Sequence, residues 1–249
     1  MKKARVVALT AALFTLSCAW AADHGAPHWE YTGKTGAEHW GDLQSEFATC
    51  KLGKEQSPID IQTTQKAKLP AIGFAYTAGP AEVVNNGHTV QVNLKSGGTV
   101  QLESGSYQLL QFHFHTPSEE KINGKAYPLV AHFVHRNAAG QLAVVGVLFQ
   151  EGRENAALAP VFAAMPTQAN KTAVLAADFQ PAAVLPSEQG YYAFIGSLTT
   201  PPCSEGVRWQ VLKQPVEVSK AQLAAFQKLY PMNARPVQPL GGRVVRASE

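Results

Sequence analysis

Three histidines carry the chemistry this chain can do. In Tyr107-Gln-Leu-Leu-Gln-Phe-His-Phe-His115, apolar and polar residues alternate, which is the period of a β-strand. Leu110, Phe112 and Phe114 are expected on one face, and Gln111, His113 and His115 on the other. Two imidazoles at i and i+2 stand side by side, close enough to share one ion. His132 lies 17 residues further on, in Val130-Ala-His-Phe-Val-His135. The intervening Ile122-Asn-Gly-Lys-Ala126 reads as a hairpin-like turn. An antiparallel neighbour would then bring His132 opposite the first pair. His135 faces away from His132 by strand alternation and is read as structural.

Three neutral imidazoles without a fourth protein ligand describe a catalytic zinc site, with water in the open position. Imidazole also suits copper, iron and nickel, so ligand type alone does not fix the metal. His113 and His115 followed by Glu119 and Gly124 imitate a cupin metal motif. Cupins need a second motif with another His, and beyond residue 119 only His132 and His135 remain, neither in that context.

The elements that must position these groups are mostly strands. Val90-Gln-Val-Asn-Leu94 alternates, and Leu142 to Phe149 is an almost unbroken apolar run, as expected of a central strand buried on both faces. Val207, Trp209 and Val211 alternate with Arg208 and Gln210. Asn-Gly at 86–87 and 123–124, Gly97-Gly98 and Ala139-Gly140 mark turns. Helical signal is thin. Ser219 with Gln222 forms a capping box ahead of Leu223, Phe226 and Leu229. A short helix is expected between Asn155 and Met165, with Pro160 in its first turn or breaking it. The fold class expected is mainly β (α+β): one domain on a large twisted, mostly antiparallel sheet with a few short peripheral helices.

The chain has 249 residues, 45% hydrophobic and 16% charged, enough for one sizeable core and unlike a disordered or coiled-coil protein. Residues 1–21 read as a secretory signal. Lys2, Lys3 and Arg5 precede the apolar Val6–Leu16 run, and Ala19-Trp20-Ala21 supplies a cleavage site. Thr15 stands where a lipoprotein signal wants an aliphatic residue, so Cys18 is read as leaving with the signal. The apolar run is too short to span a bilayer comfortably.

Without the signal, Lys+Arg falls from 21 to 18 and equals Asp+Glu, so the formal charge of +3 belongs to the signal. No basic run or stripe points to a nucleic-acid partner. Cys50 and Cys203 remain as an even pair in an exported chain, read as a disulfide. Residues 22–249 read as a single domain, periplasmic or secreted.

Several motifs together resemble the α-class carbonic anhydrases, particularly exported bacterial ones. They are His28-Trp-Glu-Tyr31, Glu38-His-Trp40, Gln56-Ser-Pro-Ile-Asp-Ile61, Asn85-Asn-Gly-His88, Gln111-Phe-His-Phe-His115, Ala131-His-Phe-Val-His135, Gly196-Ser-Leu-Thr-Thr-Pro-Pro-Cys203 and Asn233-Ala-Arg-Pro-Val-Gln-Pro239. They run in the family's order over essentially the whole mature chain.

The resemblance implies a zinc ion on His113, His115 and His132. It implies reversible hydration of carbon dioxide to bicarbonate and a proton by a zinc-bound hydroxide. Thr199 matches the gatekeeper that orients the hydroxide and donates to Glu119. Val134, Val144, Leu198, Val207 and Trp209 match the apolar substrate pocket, with Thr200 beside it. His88 matches the proton shuttle, and Tyr31, Asn86 and Gln91 match positions that order the water chain. Gln111 stands among the groups that support the ligands. Cys50 and Cys203 match a disulfide of exported members. Ser57-Pro58 and Pro201-Pro202 match cis prolines. A homodimer is left open. The alternative is a non-catalytic or zinc-binding protein on the same fold.

Two departures from the family pattern bear on the metal. The family usually has Glu two residues before the third zinc histidine, where this chain has Val130. It usually has His after the gatekeeper's Glu, where this chain has Glu120. The expectation is that Glu120 replaces the missing acceptor and orients His132.

Overall fold

The computed structural model describes residues 28–249; the expected signal segment and cleavage site, with Cys18, lie outside the described residues. Within that span, thirteen strands join in one sheet, and a separate three-stranded sheet lies beside it. The order along the main sheet is Lys171–Val174, Ala81–Asn85, Val90–Leu94, Gly105–His115, Leu129–Arg136, Leu142–Glu151, Glu205–Leu212, Tyr191–Ser197, Arg246–Ser248 and Gln65–Ala67. Pairing along this path is antiparallel except where Leu142–Glu151 meets Glu205–Leu212 and where Arg246–Ser248 meets Gln65–Ala67.

Leu142–Glu151 is central because both of its faces are apolar. Ala143, Val145, Val147 and Phe149 enter the larger core, which also holds Phe112, Phe114 and Phe133. Val144 and Leu148 enter a smaller cluster on the opposite face with Val130, Val134, Val207 and Trp209. A strand that buries both faces needs no polar alternation. The histidines stand on the side of the smaller cluster, because His132 shares the parity of Val130 and Val134.

One side assignment is corrected. Tyr107, Leu109, Phe112 and Phe114 all lie in the larger core, and Leu110 does not. Opposite the consecutive Val134 and His135, the partner strand skips from Gln111 to Leu109. Leu110 is therefore the extra residue of a β-bulge, and the alternation reverses across it. The Gln111–His115 stretch keeps its expected faces.

The Asn123-Gly124 turn has φ of 51° and 78°, the positive pair a two-residue hairpin demands. It closes Lys121–Ile122 onto Lys125–Ala126, and this hairpin pairs with Asp60–Ile61 outside the main sheet. The chain therefore leaves His115, forms the Thr116–Glu120 loop, buried except at Pro117, makes this side excursion and returns antiparallel.

Helices are short and peripheral. Lys220–Leu229 starts at a complete Ser219–Gln222 capping box and buries Leu223 and Phe226. Ala159–Ala164 carries Pro160 in its first turn. Cys50 and Cys203 are bonded, with Cα atoms 5.0 Å apart. Ser57-Pro58 and Pro201-Pro202 are cis, as is Thr116-Pro117. Among the described residues no helix is long and apolar enough to cross a membrane.

His135 sits in the larger core. Its Nε2 lies 2.7 Å from the Tyr76 hydroxyl and its Nδ1 3.4 Å from the Ala143 carbonyl. Burial pushes it down to about 4, against the pull of the Ala143 and Phe133 backbone, so it is a neutral imidazole tying two strands together.

Candidate metal centre

The register places His132 directly opposite His113, and His115 lies two residues along the same face. One nitrogen of each imidazole is already held. His113 Nδ1 donates to Gln111 Oε1 at 2.9 Å, and His115 Nδ1 donates to the Asn233 carbonyl at 2.7 Å. His132 Nε2 donates to Glu120 Oε2 at 3.1 Å. Fixing one nitrogen fixes the tautomer, so the free lone pairs belong to Nε2 of His113, Nε2 of His115 and Nδ1 of His132.

One nitrogen from each ring converges on a common point, all within 4.8 Å of one another. His115 Nε2 is buried and has no hydrogen-bond partner. A buried acceptor in that state calls for a ligand, and three imidazole nitrogens aimed at one point suit a borderline-soft divalent metal such as zinc. The residues present therefore fit such an ion.

Electrostatics favour coordination. Burial, then the neighbouring histidines, hold His115 well below the usual imidazole range. Burial, then His132, move His113 the same way. Burial would also lower His132, but the charge and hydrogen bond of Glu120, with Glu119 behind them, outweigh it and raise His132. An anion on the far nitrogen makes the near one a more basic ligand.

The Thr116–Glu120 loop supplies both carboxylates, and both are buried. Glu119 Oε1 accepts from the Arg235 backbone N–H at 2.8 Å. Its Oε2 has no partner within hydrogen-bond geometry. Burial raises Glu119 to about 7, while His132, the nearby Thr199 hydroxyl and the Arg235 N–H favour its anion. Thr199 is buried in the loop after Tyr191–Ser197. That loop closes through Cys203 N to Thr200 O at 2.8 Å, and Cys203 is the disulfide residue.

Val134, Val144, Val207 and Trp209 form one apolar cluster with Leu198 packed against it. Trp209 meets the His132 ring edge-on at 4.9 Å. The five apolar residues named from the sequence thus come together beside the three histidines. Thr200 is half-buried in the adjoining loop.

The groups toward solvent are more dispersed. His88 is half-buried and stacks flat on Trp29, 3.7 Å between centroids. Burial lowers its pKa, Glu30 opposes this and His28 adds to it. Asn86 Oδ1 caps the turn by accepting from the His88 and Thr89 N–H groups. Gln91 pairs in register with His113, and its Nε2 donates to Asn93 Oδ1 at 2.6 Å. The Tyr31 hydroxyl is buried without a partner, and its ring meets His115 edge-on at 6.5 Å.

Three supporting residues have no role assigned from the sequence. Asn93 shares the site face with Gln91. Asn233 takes the His115 proton on its carbonyl, while its amide donates to the His88 and Phe114 carbonyls. Arg235 buttresses Glu119 from the backbone. Its guanidinium bonds Gln56 Oε1 and the Ser57 and Cys50 carbonyls. The signal for the last two is the Asn233–Pro239 motif itself.

The family model for eukaryotic-type carbonic anhydrases matches residues 35–249. A carbonic anhydrase of Klebsiella pneumoniae is 48% identical over 223 residues, covering 88% of this chain and 91% of its own. That of Pectobacterium atrosepticum is 43% identical over 235 residues, covering 94% of this chain and 96% of its own. Among solved structures, the alpha-carbonic anhydrase of Thermovibrio ammonificans in complex with the inhibitor sulfanilamide is 48% identical. It superposes with a TM-score of 0.87 over 89% of this chain and 100% of that one.

Proposed function

The chain belongs to the eukaryotic-type (alpha) carbonic anhydrase family, and on that premise we propose that it hydrates carbon dioxide reversibly at a zinc ion held by His113, His115 and His132. The observation that carries this reading is the set of three hydrogen-bonded imidazoles whose remaining nitrogens converge beside an apolar cluster.

Zinc bound there supplies a positive charge that lowers the pKa of a coordinated water to roughly 7, a magnitude that belongs to carbonic anhydrases in general, and so makes hydroxide available at neutral pH. The protein's own groups do the rest. Val134, Val144, Leu198, Val207 and Trp209 offer carbon dioxide an apolar surface next to the attacking oxygen. The Thr199 hydroxyl accepts the nucleophile's hydrogen and gives its own to Glu119 Oε2, the carboxylate oxygen left without a partner. A hydroxyl that must donate in one direction can only accept from the other, which aims the attacking lone pair at the substrate. Arg235 holds Glu119 still through its backbone N–H.

His88 takes the released proton toward solvent, a duty that suits imidazole among the side chains, with Glu30 opposing the downward pull of its partial burial. Tyr31, Asn86, Gln91 and Thr200 border the path. Stopped-flow hydration of carbon dioxide on the zinc-loaded protein tests the reading. Acceleration over buffer is expected, and turnover in His88→Ala should become dependent on buffer concentration. A zinc-loaded protein that leaves the background rate unchanged overturns it.

Export fits the same reading. The basic and apolar start of the chain and the Cys50–Cys203 bond both suit an oxidising compartment. N-terminal sequencing of the mature protein should begin at Ala22 or Asp23; a chain retaining Met1 would refute it.

A further inference from the structure

His88 is tied to the strand of His113 and His115 by a side chain far from both in sequence. Asn233 follows the Lys220–Leu229 helix and is fully buried. Its amide nitrogen donates to the His88 carbonyl at 3.0 Å and to the Phe114 carbonyl at 2.9 Å. Its Oδ1 accepts from the Thr116 backbone N–H at 2.8 Å. Two carbonyls on one side and an N–H on the other leave one orientation for the carboxamide. Phe114 and Thr116 flank His115. One amide therefore bonds the backbone on both sides of a metal-site histidine and the backbone of His88.

The other restraints on this turn are of different kinds. Asn86 Oδ1 accepts from the His88 N–H at 3.0 Å, but Asn86 belongs to the turn and moves with it. Stacking on Trp29 orients the ring plane without the directionality of a hydrogen bond. Thr89 Oγ1 donates to the Phe114 carbonyl at 2.5 Å and holds the residue after His88. At the other end of the turn, the Tyr230 hydroxyl donates to Asn85 Oδ1. Among the described residues, the Asn233 amide is the link that runs from His88 itself to the metal-site strand.

We propose, resting on the carbon dioxide reading above, that the Asn233 side chain is a positioning residue for proton release, setting where His88 stands relative to the metal centre. Proton transfer needs hydrogen-bond reach, direct or through one water, and a displacement of about 1 Å can cost about 100-fold. The backbone of Asn233 has a separate duty, because its carbonyl accepts from His115 Nδ1. Any amino acid supplies that carbonyl, so replacing the side chain separates the two duties.

Asn233→Ala in the zinc-loaded mature protein tests this by stopped flow. In dilute buffer kcat should fall about tenfold, inside the bound set by such a displacement. The ratio kcat/KM, which does not include proton release to buffer, and zinc affinity should stay near wild type. Concentrated imidazole, carrying the proton in place of His88, should restore kcat. Proton NMR gives a readout independent of turnover. The His88 ring protons, shifted upfield by the Trp29 face in the wild type, should move toward ordinary imidazole positions. Tyr230→Phe releases the turn at Asn85 and keeps the aromatic ring. It should show the same pattern more weakly, and it decides if Asn233→Ala does not fold. Unchanged dilute-buffer kcat overturns the inference. So does a joint loss of kcat/KM and zinc that imidazole does not repair, which makes Asn233 a support of the metal alone. A zinc-loaded wild type without hydration activity removes the carbon dioxide reading and this inference together; an active wild type beside unchanged variants removes this inference only.

Discussion

His115→Ala is expected to abolish stoichiometric zinc binding and return carbon dioxide hydration to the background rate. His115 is fully buried, and its Nε2 is the one imidazole nitrogen of the centre found buried without any partner. Alanine removes that ligand and leaves the Asn233 carbonyl without its donor. The loss should exceed the roughly 100-fold that removing a mere supporting partner costs. Elemental analysis reads the metal, and stopped flow reads the rate. Thermal melts separate ligand loss from misfolding. Zinc stabilises only a protein that binds it, by about 4 kcal/mol at a thousand times its dissociation constant. Added zinc should therefore raise the wild-type midpoint and leave His115→Ala near the chelated wild type. Retained zinc and turnover in the variant would place the chemistry elsewhere.

What the sequence makes legible follows from how far each signal reaches along the chain. The shared face of His113 and His115 can be read directly because strand alternation is a two-residue rule and needs no tertiary information. The side taken by Leu110 cannot, because its bulge is set by the register against Val134 and His135, and nothing in the local sequence marks it. The Asn233 contribution lies 118 residues from His115 and comes from a backbone carbonyl, a group every residue carries. Residue type therefore cannot announce it. Arg235 acts on Glu119 through its backbone N–H, with the same consequence. The pocket valines are legible only as a set, since any one of them reads as ordinary core.

Glu120→Gln carries the second large expectation, and its contrast with Glu119→Gln makes it decisive. Val130 sits where the family resemblance leads one to expect a glutamate acceptor for the third histidine, and the acceptor here is Glu120 Oε2, 3.1 Å from His132 Nε2. Glutamine keeps the shape and can still accept that hydrogen bond, so what it removes is the negative charge. That charge is what raises His132 against the effect of its burial. Without it, His132 Nδ1 becomes a weaker donor to the metal. Zinc affinity should fall between about 10- and 100-fold, read by titration against a competing chelator. Turnover per bound zinc should change much less. Glu119→Gln should show the reverse, because Glu119 faces Thr199 and is anchored by Arg235. Zinc affinity stays near wild type there, and the rate of the loaded enzyme falls as the Thr199 hydroxyl loses the anion that fixes its orientation. If Glu120→Gln instead leaves zinc affinity unchanged, Glu120 is a bystander and His132 is oriented by its strand alone. If the two variants exchange their effects, the adjacent carboxylates have the opposite roles.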